Sequence, residues 1–127
     1  MKQAMHDIFV NLLQSSGGLG VGMVDMNGLL IHSEGDHDGR SSNEVAALLL
    51  ALYPPQLSKL EQAFQDPLSE HIVIGREHCF YLLRIQGKYV LYALTGSLSS
   101  KARNAMHQAR GRLNPLLKDQ GLLAVQH

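Results

Sequence analysis

The chain contains one cysteine, no tryptophan, only 6% aromatic residues and no excess charge of either sign. Each shortage excludes something. A lone Cys79 cannot close an intramolecular disulfide or build a thiolate metal site by itself. Eleven basic residues balance eleven acidic ones, so no global field draws the chain to nucleic acid or to an anionic membrane. No apolar run approaches the roughly 18–20 residues needed to cross a bilayer. The opening MKQAMHDIFVNLLQ is broken by His6, Asp7 and Asn11 where a signal peptide would be apolar. These absences predict a soluble cytoplasmic protein that neither inserts into membranes nor binds nucleic acid. The length of 127 residues suits one domain with a real core, read as residues 1–119 followed by a loose tail at 120–127.

What is present is organised around LGVGMVDMNGLLIHS, residues 19–33. It reads as two apolar strands joined at Asn27-Gly28, the dipeptide best suited to the positive φ angles of a type I′ hairpin turn. Met23 and Val24 point to opposite faces, as do Leu30 and Ile31. A strand that is apolar on both faces requires cover on both. A central sheet between helical layers follows.

Before the hairpin, Met5, Ile8, Phe9, Leu12 and Leu13 recur at helical spacing, and Ser15-Ser16-Gly17-Gly18 stops that helix. After it, the polar loop EGDHDGRSS leads to a helix over Glu44 to about Tyr53, with Ser42 or Asn43 as cap. Val45, Leu48, Leu49 and Leu52 make one face of this helix, and Ala46, Ala47, Leu50 and Ala51 the opposite one. A helix apolar all round is buried on both sides. In so short a chain the second face calls for another copy or a related chain, and its alanines permit close approach. Pro54-Pro55 breaks the helix, and Leu57, Leu60, Ala63 and Phe64 mark a second short one. HIVIG, CFYLLRI and YVLYALT then form an antiparallel meander. The last helix starts near Ser97, with an apolar side from Leu98 to Leu113 and a basic side of Lys101, Arg103, Arg110 and Arg112. No acidic residue follows these cations before Asp119. Pro115 is expected to distort the end of this helix.

Catalytic signals are weak. The glycines between Gly17 and Gly22 follow a helix and open a strand, the reverse of a dinucleotide loop, and no lysine-serine pair follows them. They read as a tight connection, and no nucleotide or other cofactor is expected. His32, Asp36, His37 and Asp38 lie close in sequence, and His71 and His78 flank a hairpin, but neither group has zinc-ligand spacing, so no metal is expected. His78 and Cys79 are adjacent strand positions and point apart, which defeats a thiolate–imidazolium couple. We expect no enzyme.

The run Gly20–Ser33, the Ala/Leu-rich helix Glu44–Leu52, the strand Glu70–Gly75 and the Gly87–Leu91 hairpin together resemble the Roadblock (dynein light chain 7) family, of prokaryotic type. The resemblance implies an α+β fold of order α-ββ-α-βββ-α. Its five-stranded antiparallel sheet would carry the first and last helices on one face and the central helix on the other. It further implies dimerisation through the central helix and the following strand, here Ala46, Ala47, Leu50, Ala51, Ile72 and Ile74. Such domains are non-catalytic scaffolds or regulators, often of Ras-like GTPases. Docking of that partner is expected at Lys59 and Gln62, or at Lys101, Arg103, Arg110 and Arg112. The alternative is a PAS- or profilin-like sensor holding a small ligand, with Tyr81, Tyr92 and Arg84 contributing to its cavity.

Overall fold

The computed structural model describes residues 2–51 and 55–126, and side chains for 2–51 and 58–118. The elements run α1 (Lys2–Ser16), β1 (Gly20–Asp25), β2 (Leu30–Gly35), α2 (Ser42–Leu50), α3 (Pro55–Phe64), β3 (Glu70–Ile74), β4 (Cys79–Ile85), β5 (Tyr89–Thr95) and α4 (Ser100–Gln126). One antiparallel sheet has the order β2-β1-β5-β4-β3, so β5 returns beside β1 and the two hairpins close around a shared centre.

Alternation along the strands divides the interior in two. Val21, Met23, Cys79, Tyr81, Leu83, Ile85, Leu91 and Ala93 point toward α1 and α4, where Phe9, Leu12, Ala102, Met106, Leu113 and Leu117 meet them. Val24, Leu82, Val90 and Tyr92 point the other way, under Val45, Ala46 and Leu49 of α2. The expected sheet with helices on both faces is what the chain forms. Tyr81 ties the start of α4 to the sheet: its hydroxyl accepts from Ser99 N at 2.7 Å and donates to Ser99 O at 3.1 Å.

Three local expectations change. The β1–β2 connection is not a two-residue turn with both residues at positive φ; Gly28 alone has φ of +91°. The Asp25 carboxylate accepts from the Asn27 and Leu29 amides, both at 2.9 Å, and so caps a longer turn. The register then shifts, with Met23 opposite His32 and Val24 opposite Leu30, leaving Ile31 as a bulge. The cap of α2 is Ser41, whose hydroxyl accepts from Glu44 N, rather than Ser42 or Asn43. Finally, α4 spans Ser100–Gln126 with Pro115 inside it, where a distorted end is expected. Buried Leu113 and Leu117 hold the helix to the sheet on either side of the proline, and this packing offsets the lost hydrogen bond. Leu52, Tyr53 and Pro54, and with them the first half of the Pro54-Pro55 break, lie outside the described residues.

Candidate interaction surface

Residues 42–50 are helical because Ser41 caps them and no β-branched run opposes them, Val45 being the only such residue. The division of faces differs from the one expected. Ala46 is only 1% exposed and packs in the core under α2, whereas Leu48 is 60% exposed. Ala47 and Ala51 are exposed and Leu50 is half-buried. At roughly 100° per residue, centring the buried arc between Leu49 and Ala46 turns Leu48 outward. The large Tyr92 ring beneath the helix favours the small Ala46 at that point. The outward apolar face of α2 is therefore Ala47, Leu48 and Ala51.

That face continues across a cleft to the sheet edge. Leu48, Leu49, Val73, His78, Phe80 and Leu94 are among the lining of a cleft of about 470 Å³. Among the described residues, strand β3 pairs with β4 alone, so its other edge is open. Ile72 and Ile74 stand opposite Tyr81 and Cys79, which places them on the α1/α4 side of the sheet, exposed by 38% and 61%. Val73 stands opposite Phe80 and faces the α2 side. The residues named for a dimer surface thus lie on opposite faces of the sheet, those of α2 on one and Ile72 and Ile74 on the other, and Val73 is the β3 residue that lines the cleft beside α2. Leu48, Val73 and Phe80 were missed by sequence reasoning; the two-residue period from Ile72 would have singled out Val73. Helix α3 adds exposed Leu60 and Phe64. It is tethered on the same side by Glu61, which accepts from Arg84 through both oxygens at 3.1 and 3.2 Å. Arg84's hydrogen bonds are the first cause of a Glu61 carboxyl held below the usual range.

The rim of the cleft is a turn at His37–Gly39 in which all three residues have positive φ, 55°, 57° and 82°. Left-handed histidine and aspartate store strain that surrounding contacts must hold. Asp38 accepts from His78 at 2.9 Å, and Asp36 accepts from Asp38 N at 3.0 Å. The His37 ring is buried, with Nδ1 at 3.2 Å from Gly35 O and Nε2 at 2.8 Å from the Tyr92 hydroxyl. A ring that donates from Nδ1 and accepts at Nε2 satisfies both contacts as a neutral imidazole. Burial pushes the Tyr92 hydroxyl well above its usual range. These rings also account for the glycines of β1. A Cβ on Gly20 would lie 2.5 Å from the His37 ring, and one on Gly22 would lie 2.5 Å from the Tyr92 hydroxyl. Only Gly17 and Gly18 serve the helix-to-strand connection itself.

The other docking candidates separate. Lys59 and Gln62 are exposed on α3. The basic side of α4 is not without acidic company: Arg103 donates to both Glu70 oxygens at 2.8 and 2.9 Å. His107 contacts Glu70 at 3.2 Å and Arg110 contacts His107 at 3.2 Å. Glu70 comes from β3, 33 residues away, and was invisible to a reading along the helix. Arg103's hydrogen bonds are the main cause of its lowered carboxyl pKa, with burial opposing and His107 adding. Lys101 and Arg112 are exposed and enter no ion pair among the described residues. Tyr81, Tyr92 and Arg84, offered for a sensor cavity, do not share one. Tyr81 faces α4, Tyr92 bonds His37 and Arg84 bonds Glu61. Cys79 is buried in the α1/α4 core.

No family model and no curated protein matches the sequence. Solved structures do. The chain is similar to Myxococcus xanthus MglB, with a TM-score of 0.82 at 17% identity, covering 92% of this chain and 90% of that one. It is similar to the gliding protein MglB of Thermus thermophilus, with a TM-score of 0.81 at 11% identity and the same coverages. A Roadblock/LC7 domain from Streptomyces avermitilis matches with a TM-score of 0.73 at 17% identity, over 87% of this chain and 95% of that one. Element order, sheet topology and these likenesses agree: the chain folds as a Roadblock-type domain.

Proposed function

We propose that this protein is a non-catalytic, dimeric scaffold or regulator that works with a Ras-like small GTPase. The observation that carries the reading is the apolar continuity from Ala47, Leu48 and Ala51 across the cleft to Val73 and the open β3 edge. A surface of this kind on a small chain marks an interaction site, and an open edge strand is a template for a second chain. A second copy, or a related Roadblock chain, would extend the sheet across β3 and cover the outward face of α2. The GTPase part rests on the Roadblock resemblance and on the likeness to a protein named as a gliding protein. Docking of the GTPase is assigned to α3 around Lys59 and Gln62, or to Lys101 and Arg112, the α4 cations not engaged by Glu70.

The test is capture from native lysate with GDP and with a GTP analogue, together with light scattering on the purified protein. A dimer that enriches a small GTPase in one nucleotide state is the expected result. Lys59→Glu with Gln62→Glu should weaken capture if α3 docks, and Lys101→Glu with Arg112→Glu should weaken it if α4 docks. A monomer that captures no GTPase and retains a small molecule on native mass spectrometry would shift the reading to the ligand sensor.

A further inference from the structure

On the side of the sheet away from α2, two histidines and a glutamate meet between α1 and β2. His6 Nδ1 lies 2.8 Å from Glu34 Oε1, and His32 Nε2 lies 3.0 Å from the same oxygen. One potential ligand atom from each residue falls within 4.8 Å of the others. The sequence grouped His32 with Asp36, His37 and Asp38, but the fold separates them. His37 turns inward to Tyr92 and Asp38 goes to His78, while α1 brings His6 to His32.

The geometry points to a site for one divalent transition-metal ion of the zinc type, held by His6 Nδ1, His32 Nε2 and the Glu34 carboxylate. Two imidazoles and a carboxylate form a donor set suited to this class of ion, and three protein ligands leave one position for water. Tetrahedral coordination at roughly 2.0–2.2 Å needs neighbouring donors roughly 3.3 Å apart. The two measured separations are slightly shorter, so small side-chain rotations would admit the ion. His32 is oriented from behind by the buried Phe9 ring, 5.0 Å away, and His6 meets it edge-on at 5.9 Å. Both side chains on β2 are about three-quarters shielded, each 24% exposed, while His6 at 47% keeps one side open for ion entry. A recess of about 360 Å³, lined by Met5, Ile31 and the two imidazoles among others, borders the group and has room for the water. The residues arrive from a helix and a strand separated by a hairpin, so a bound ion would cross-link α1 to an edge of the sheet. This assignment is independent of the GTPase reading, because none of the three residues lies on the α2–β3 surface.

Titration of the purified protein with Co²⁺, followed by visible absorption, tests it directly. One saturable equivalent per chain with the intense bands of a low-coordinate Co²⁺ ion is expected, and Zn²⁺ should displace it. His6→Ala, His32→Ala and Glu34→Gln should each weaken binding by about 100-fold or more, exceeding the roughly 10–100-fold of an outer-shell change. His78→Ala, which removes a different His–carboxylate pair, should leave it unchanged. His6 is half-exposed, so its alanine variant tests the site without disturbing the core. Thermal melts supply a second measure: Zn²⁺ should raise the melting temperature of the wild type but not of His6→Ala. Absence of saturable binding would overturn the assignment, as would binding that survives both His6→Ala and Glu34→Gln or that is lost in His78→Ala.

Discussion

At the scale of single residues, the most constrained point is where β1 glycines, His37 and Tyr92 share one volume. Tyr92→Phe removes the hydroxyl placed to donate to His37 Nε2, and an orphaned buried acceptor costs about 1–3 kcal/mol. Gly22→Ala pushes a methyl group against the Tyr92 ring, an overpacking worth about 1–3 kcal/mol. Chemical denaturation should show both losses. In the double variant Gly22→Ala/Tyr92→Phe the two losses should depart from simple addition, because the added methyl meets the same side chain that loses its hydroxyl. This cluster was not legible in the sequence. Along the chain the glycines read as a tight connection, yet Gly22 and Tyr92 are far apart in sequence, and only strand pairing makes them neighbours.

At the scale of elements, strands were the most readable part of the chain. β4 and β5 appear where CFYLLRI and YVLYALT predict them, because each is bounded by a short polar turn and is apolar on both faces. Features set by contacts between elements were less so. Packing on the sheet fixes the rotation of α2, and the Glu70 clamp pairs with Arg103, a cation that looks unopposed along α4. That clamp makes stability pH-dependent in a stated direction. The Glu70 and Glu61 carboxyls are held below 4.5 in the fold and regain about that value when unfolded. Their contribution is therefore complete above the unfolded pKa and is lost as pH falls through the folded one. Urea melts between about pH 6 and about pH 3 should show the decline, and Arg103→Gln should flatten it. The capping serine gives a smaller effect: Ser41→Ala should cost about 0.5–2 kcal/mol by the same measurement, since Glu44 N loses its acceptor.

At the scale of the whole molecule, the two layers are unequal. Among the described residues, two helices and most of the large buried side chains lie on one side of the sheet, while on the other α2 contributes three buried residues and α3 is tethered through Glu61. The sequence revealed the need for cover on both sides, and the apolar circumference of α2 led to the expectation of a partner. It did not reveal which residues face outward. Ala47→Glu and Leu48→Glu, both exposed in the single chain, should cost the isolated fold little and the proposed dimer several kcal/mol, because a desolvated charge is expensive. Size-exclusion chromatography with light scattering should return folded monomers for both variants; persistence of the dimer would remove α2 from the interface.

The thin cover supplied by α2 has a consequence in time as well as in energy. A nine-residue helix anchored by Val45, Ala46 and Leu49 can detach without opening the layer that holds Phe9, Leu12 and Leu113. Amide hydrogens of residues 46–50 should therefore exchange with deuterium through local opening, while those of β4 and β5 wait for the whole fold to open. If a second chain seats on α2, that fast exchange should slow with rising protein concentration. Association would then be visible, helix by helix, as a change in the rate at which protons leave.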